Sequence, residues 1–252
     1  MEWFEHAIGG SVILNVQTSS LGASLAAHQL LGRAVFVGVM ARDYPNLADG
    51  AAYIGRLHEA GIQVSAGLGD GSPDEWERAL QLALAARPPH LNQIFSAAAL
   101  SQFALRREGA HTVVNAMIRP AGEPGIVSLG TGPLSGRMAG GVRVPADAAI
   151  AMMCEMGIVS VKLFPIEGDL RLDEVRAVAR AVAAADMMLE PTGGITPDNV
   201  ARVVDACLAE GVRCVMPHLY GSLKDPSTND LDIARLERAA REVERLFAGS
   251  GA

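Results

Sequence analysis

A single (β/α)₈ barrel over residues 1–252 is the fold class that the sequence predicts, and three observations carry the prediction. Short β-rich runs alternate with helical stretches along the whole chain, the pattern of a parallel sheet covered by helices. Eight such runs fit into 252 residues, which is the count and length of a closed TIM barrel. No composition shift or linker divides the chain, so one domain is expected. A doubly wound open sheet is the structural alternative.

The expected strands are, in order, VILNV (12–16), AVFVGV (34–39), IQVSAG (62–67), HLNQIF (90–95), TVVNAMI (112–118), VSVKLF (159–164), MMLEP (187–191) and RCVMPH (213–218). The helices between them carry end signals. NLADGAAYIGRLHEAG stops at Gly61, a residue suited to the left-handed position after a helix. SPDEWERALQLALAAR opens with Ser72 as N-cap, Pro73 at the first helical position and Glu75 two residues later. PADAAIAMMCEMG stops at Gly157, and TPDNVARVVDACLAEG stops at Gly211. One stretch breaks the rhythm. Residues 119–145 form a Gly-rich insertion between strands five and six, around a β-like GIVSLGTG. Long loops in compact domains often serve as lids or binding loops; a plain surface excursion is the other reading.

Composition narrows the partners. The formal net charge is −7 and aromatics make up 4% of the chain, which argues against a nucleic-acid surface. Half of the residues are hydrophobic and 19% are charged, so a packed core rather than disorder is expected. The three cysteines, Cys154, Cys207 and Cys214, have no C-x-x-C spacing, and a reducing, cytoplasmic compartment follows. The opening MEWFEHAIGG lacks the basic start of a signal peptide, and no apolar run reaches membrane-spanning length. The expected partner is a small molecule, with no nucleic acid and no membrane. Self-association is plausible for a barrel of this size.

Polar residues near the carboxyl ends of apolar strands mark a shared cavity, because those ends form the mouth of a barrel. Gln93, Asn115, Lys162, Glu190 and His218 occupy such positions, with Asn15 on the first strand. Lys162 stands out: VKLFP places it in an apolar run with no carboxylate within four residues. Desolvation lowers the pKa of a buried lysine, and a neutral amine can attack a ketone to form a Schiff base. The alternatives are a lysine that snorkels to water or pairs with Glu190. Glu190 itself is a candidate general acid/base. Gly193 and Gly194, in LEPTGGI ahead of a helix, suit a phosphate cradle; a tight turn is the other reading. His218 is a candidate proton shuttle or ligand contact, whereas His90, at the start of its run, reads as structural. Arg42 and Arg119 are loop-end candidates for binding a substrate carboxylate. No H-x-H, H-E-x-x-H or nucleotide-binding Gly pattern is present, so neither a metal nor a cofactor is expected.

Taken together, HLNQIF, VVNAMIRPAGEPGIVSLGTGPLSG, VSVKLFP, LEPTGGITPDN and VMPHLYGS resemble the 2-keto-3-deoxy-6-phosphogluconate aldolases. The likeness is closer to the KDGP aldolase branch associated with D-glucosaminate catabolism, and it extends from about residue 12 to 240. The resemblance implies a class I, metal-independent aldolase that cleaves a phosphorylated 2-keto-3-deoxy sugar acid to pyruvate and glyceraldehyde 3-phosphate. It matches Lys162 to the imine-forming lysine, and Gly193 and Gly194 to the phosphate loop. The better-known branch carries a general-base glutamate early in the chain. Here the first strand offers Asn15, and the second ends in GVMARDYP. The acid/base role is therefore not transferred, and Glu190 is nominated by chemistry alone. Two rival readings stay open: an aldolase acting on 4-hydroxy-2-oxoglutarate, and a non-catalytic phosphosugar-binding barrel.

Overall fold

The computed structural model describes residues 2–69, 71–138 and 141–248. Eight parallel strands close into a barrel: β1 (Leu14–Gln17), β2 (Val35–Met40), β3 (Gln63–Gly67), β4 (His90–Leu91), β5 (Val113–Pro120), β8 (Ser160–Leu163), β9 (Met188–Pro191) and β10 (His218–Leu219). Neighbours in this order pair in parallel, and β10 returns to β1 through Asn15 and His218. Single bridges between Leu189 and Val215 and between Thr192 and His218 complete the circle. Closure leaves the eight barrel strands without a free edge among themselves.

Helices α1 (Leu21–Leu31), α2 (Leu47–Glu59), α3 (Trp76–Ala86), α4 (Phe95–Arg107), α5 (Ala146–Glu155), α6 (Leu172–Ala184), α7 (Val200–Leu208) and α8 (Ile233–Ala248) form the outer layer. Gly61, Gly157 and Gly211 follow α2, α5 and α7 with φ of 75°, 70° and 93°, as their sequence positions predicted. Val16, Val37, Val64, Val114 and Val161 are buried in the main core. A second apolar cluster of Phe4, Ile13, Phe36, Met188 and Met216 is packed by Trp3, from the N-terminal 3-10 turn (Glu2–His6).

Three sequence expectations are corrected. The fourth strand is not 90–95 but two residues long, because α4 begins at Phe95. Gln93 turns the chain there, its side-chain oxygen accepting from the Ile94 amide at 2.9 Å. Ser72 makes no side-chain cap; a 3-10 turn (Pro73–Glu75) precedes α3. The eighth strand shrinks to His218–Leu219 plus single bridges at Val215. The Gly-rich insertion forms a hairpin, β6 (Ile126–Ser128) and β7 (Arg143–Pro145), that pairs antiparallel with the upper end of β5.

Candidate active site

Side chains alternate across each strand, so a polar residue two positions from another shares its face. That rule stacks polar groups inside the barrel. Lys162 is the register partner of Met117 on β5 and of Glu190 on β9. Its Nζ donates to Asn92 Oδ1 at 2.8 Å and lies 3.4 Å from His218 Nδ1. The side chain lines a cavity of about 300 Å³ at the carboxyl ends of the strands, with Asn92, His218, Tyr220, Gly193 and Gly194. Lys162 is only 8% exposed. Burial pushes its ammonium down from 10.5 to about 8, against the pull of the Glu190 carboxylate.

Glu190 lies beneath this layer and is 0% exposed. Its Oε1 accepts from His90 Nε2 at 2.9 Å and from the Ser160 hydroxyl. Its Oε2 accepts from Asn115 Nδ2 and His218 Nε2, each at 2.8 Å. Burial works to raise the carboxyl, but His90, by charge and hydrogen bond, and His218, by hydrogen bond, outweigh it and hold it well below the usual carboxylate range. Four donors aimed at one carboxylate favour its charged form. His218 feels the opposite balance. Burial, then the charge on Lys162, push it down to about 3 despite its bond to Glu190. A neutral His218 that donates from Nε2 to Glu190 keeps its Nδ1 lone pair towards Lys162.

The network closes around the lysine. Asn115 Nδ2 also reaches Asn92 Oδ1 at 3.0 Å. Asn92 Nδ2 donates to Ser65 Oγ at 2.8 Å, and Ser65 Oγ lies 2.8 Å from His90 Nδ1. Every polar group in this layer thus has a partner, which a buried polar cluster requires. Tyr220 adds a roof: its hydroxyl donates to Asn15 at 3.1 Å, and burial raises its phenol.

At the rim, Gly193 and Gly194 have φ of 99° and 74°. A Cβ on Gly193 would lie 3.1 Å from Pro165 Cα, and one on Gly194 would lie 2.5 Å from the Gly168 amide. Close backbone approach therefore demands glycine at both positions, whatever binds there. The carbonyls of both are taken, Gly193 by the Gly168 amide at 2.8 Å and Gly194 by Asn199 at 3.1 Å. Their amides donate to no backbone carbonyl among the described residues and remain available to an anion.

The expected site residues thus separate into groups. Lys162, His218, Gly193 and Gly194 meet at the cavity. Asn115 and Glu190 sit one layer below and support it. Gln93 borders the cavity, but its side-chain amide is spent on the Trp76 carbonyl at 2.9 Å and on Ser101 at 3.1 Å. Arg119 does not join them; it lines a separate cavity in the insertion. Sequence reasoning missed Asn92, Ser65, Ser160 and Tyr220. Asn92 was legible from alternation, since it stands two residues after the inward-facing His90. His90 is structural as expected, yet it holds Glu190 directly.

Fold and site together define a class: a closed parallel barrel whose mouth presents a desolvated amine beside an open glycine loop. Residues 9–227 match the KDGP aldolase family, and the chain belongs to that family. A Salmonella typhimurium protein named 2-dehydro-3-deoxy-phosphogluconate aldolase is 34% identical over 230 residues, covering 89% of this chain and 93% of that protein. The chain is accordingly an aldolase of this family, and hence a lyase. Among solved structures, phosphoribosyl anthranilate isomerase from Thermus thermophilus superposes with a TM-score of 0.57 at 15% identity, over 93% of this chain and all (100%) of that one. A 3-hexulose-6-phosphate synthase gives 0.53 at 16% identity, over 93% and 99%. These two likenesses establish the barrel fold alone. Among the described residues, no helix is long and apolar enough to cross a membrane.

Proposed function

We propose that this aldolase works through a Schiff base on Lys162 and cleaves 2-dehydro-3-deoxy-6-phosphogluconate to pyruvate and glyceraldehyde 3-phosphate. The observation that carries the mechanism is the setting of Lys162 Nζ: desolvated, open to the cavity, and held by Asn92 with His218 beside it. The substrate assignment is supported by the name of the Salmonella relative and by the open glycine amides at the rim. The phosphorylated substrate would place its phosphate there, near the start of α7.

In this reading, the neutral Lys162 amine attacks the C2 ketone. The carbinolamine loses water and leaves a protonated imine conjugated to the reacting carbons. Removal of the C4 hydroxyl proton breaks the C3–C4 bond, and its electron pair moves into the imine to give an enamine. Glyceraldehyde 3-phosphate leaves as the C4 oxygen becomes a carbonyl. Protonation of the enamine at C3 and hydrolysis then release pyruvate and the free amine. The Nδ1 lone pair of His218 is the acceptor best placed to take protons at this site. Glu190, enclosed by four donors, acts through His218 by fixing its tautomer rather than by touching substrate. This refines the sequence-based nomination of Glu190, whose oxygens already have their partners.

Borohydride reduction in the presence of pyruvate tests the mechanism. The expected result is a stable pyruvate-derived mass on the peptide that carries Lys162, and an unmodified peptide would end the Schiff-base reading. Turnover with and without the 6-phosphate tests the substrate. Equal kcat/KM for both would remove the phosphate from the assignment.

A further inference from the structure

The insertion holds a second cavity, of about 440 Å³, lined by Arg119, Arg143 and Arg171 together with Ser128, Ser135 and Gly136. Strand register builds much of it. Arg119 on β5 is paired with Ser128 on β6, and Ser128 with Arg143 on β7. Directly opposed residues share one face of a sheet, so the three stand in a row, Arg-Ser-Arg. The two arginines are about 10 Å apart, two strand spacings. Arg171, from the turn before α6, approaches the same space.

Charge accounting singles out two of these groups. Arg143 is paired with Glu123 at 3.2 Å, and Arg171 with Glu167 at 2.8 Å and Glu174 at 3.1 Å. Arg119 has no ion-pair or hydrogen-bond partner among the described residues. Moreover, the Nε atoms of Arg119 and Arg171 are the buried side-chain polar atoms left without a partner among the described residues, and both belong to walls of this one cavity. A buried donor without an acceptor is costly, and a guanidinium does not escape the cost by losing its proton. Arg119 is thus an uncompensated guanidinium on the wall of a cavity that also holds Ser128, Arg143 and Arg171, and such a wall suits an acceptor of negative charge.

We propose that this cavity is a second anion site, separate from the catalytic one, that binds a phosphate-class oxyanion on the Arg119 guanidinium, with Arg143 and Arg171 as further cations of its wall. Planar guanidinium forks match phosphate oxygens bidentately, and the Ser128 hydroxyl between the arginines supplies a further polar group. The ligand is inorganic phosphate or the phosphate end of a small metabolite. Because β5 also carries Asn115 and Met117, an anion that pins the Arg119 end of this strand is connected to the layer below Lys162.

Isothermal titration of the whole protein, with inorganic phosphate and separately with glycerol 3-phosphate at constant ionic strength, tests the site. The expected result is a saturable binding event that Arg119→Gln weakens about 10- to 100-fold, the loss typical of charged hydrogen bonds. Glycerol 3-phosphate binding tighter than phosphate assigns the site to a phosphate ester; the reverse assigns it to the free ion. Circular dichroism melts check that the variant folds, and Arg171→Gln gives an independent weakening if it does not. Wild-type protein should bind two phosphates if the glycine loop is also a phosphate cradle. One phosphate that disappears with Arg119→Gln supports the second site and defeats the cradle. Unchanged binding in both variants overturns the proposal. So does a change in sedimentation without a change in phosphate binding, which would assign the cavity to a carboxylate from a second copy of the chain.

Discussion

Lys162 and Arg119 are cations on adjacent strands, β8 and β5, and the register puts Lys162 opposite Met117, two residues from Arg119. Both seemed from the sequence to belong to one substrate site. Their surroundings differ in a way that follows from their chemistry. Lys162 sits in a layer where every polar group is satisfied, and burial moves its ammonium down to about 8, so the amine form becomes accessible. Arg119 sits where its Nε finds no acceptor. A lysine can meet desolvation by giving up its proton, and that surrender is its reactivity. An arginine keeps its charge and calls for an anion. In the reading proposed above, a buried lysine and a half-buried arginine therefore do different work, Lys162 as the nucleophile and Arg119 as a binding group.

The contrast is most directly broken by exchanging the two chemistries. Lys162→Arg keeps the charge but not the removable proton. It is expected to lose aldol cleavage as fully as Lys162→Met, by at least about 10⁴-fold in kcat, the scale seen when a covalent nucleophile is removed. Comparable kcat in the Arg variant would show that Lys162 serves as a fixed cation. Lys162→Met should melt no lower than wild type, because it removes a charged group from a desolvated position.

Glu190→Gln probes the support beneath the lysine. The variant should lose about 10²-fold in kcat, through a His218 no longer fixed in its tautomer. It should also lose about 3 kcal/mol of stability, because four donors face an altered acceptor. Since the Glu190 charge raises the Lys162 pKa, the rising limb of imine formation with pH should move to lower pH in this variant. A limb that stays put while kcat falls would place Glu190 outside the electrostatics of the lysine.

The remaining prediction, which leaves catalysis aside, is a pH dependence of the intact protein's stability. His218 lies at about 3 when folded against 6.5 for the free group. Between these values the unfolded chain binds a proton that the native chain does not, so stability falls as pH drops through this window. Glu190, also held low, adds to the loss at the acid end. Lys162, at about 8 against 10.5, has the same sign in its own window, and stability rises with pH between them. A melting temperature flat from pH 6.5 to 4 would contradict the buried, neutral state of His218.

Much of this was legible before any coordinates. The barrel was readable because eight apolar runs alternate with helices whose ends carry glycine signals, and both are local properties of the chain. Lys162 was readable because a lysine in VKLFP violates the apolar pattern around it. The divergence of Arg119 from the site was not. It depends on a hairpin whose pairing with β5 turns the insertion into a wall, and register between distant strands has no local signature. The saturation of Glu190 was also hidden, since its donors come from β4, β5, β8 and β10.

What the sequence by itself determined is which residues face inward on each strand, because alternation is written every second position. What only the tertiary structure decided is depth. Lys162 and Glu190 are register partners, yet one lines the cavity and the other is sealed below it. The stagger of eight strands around a closed barrel sets that height, and with it which group opens onto the cavity and which is enclosed beneath it.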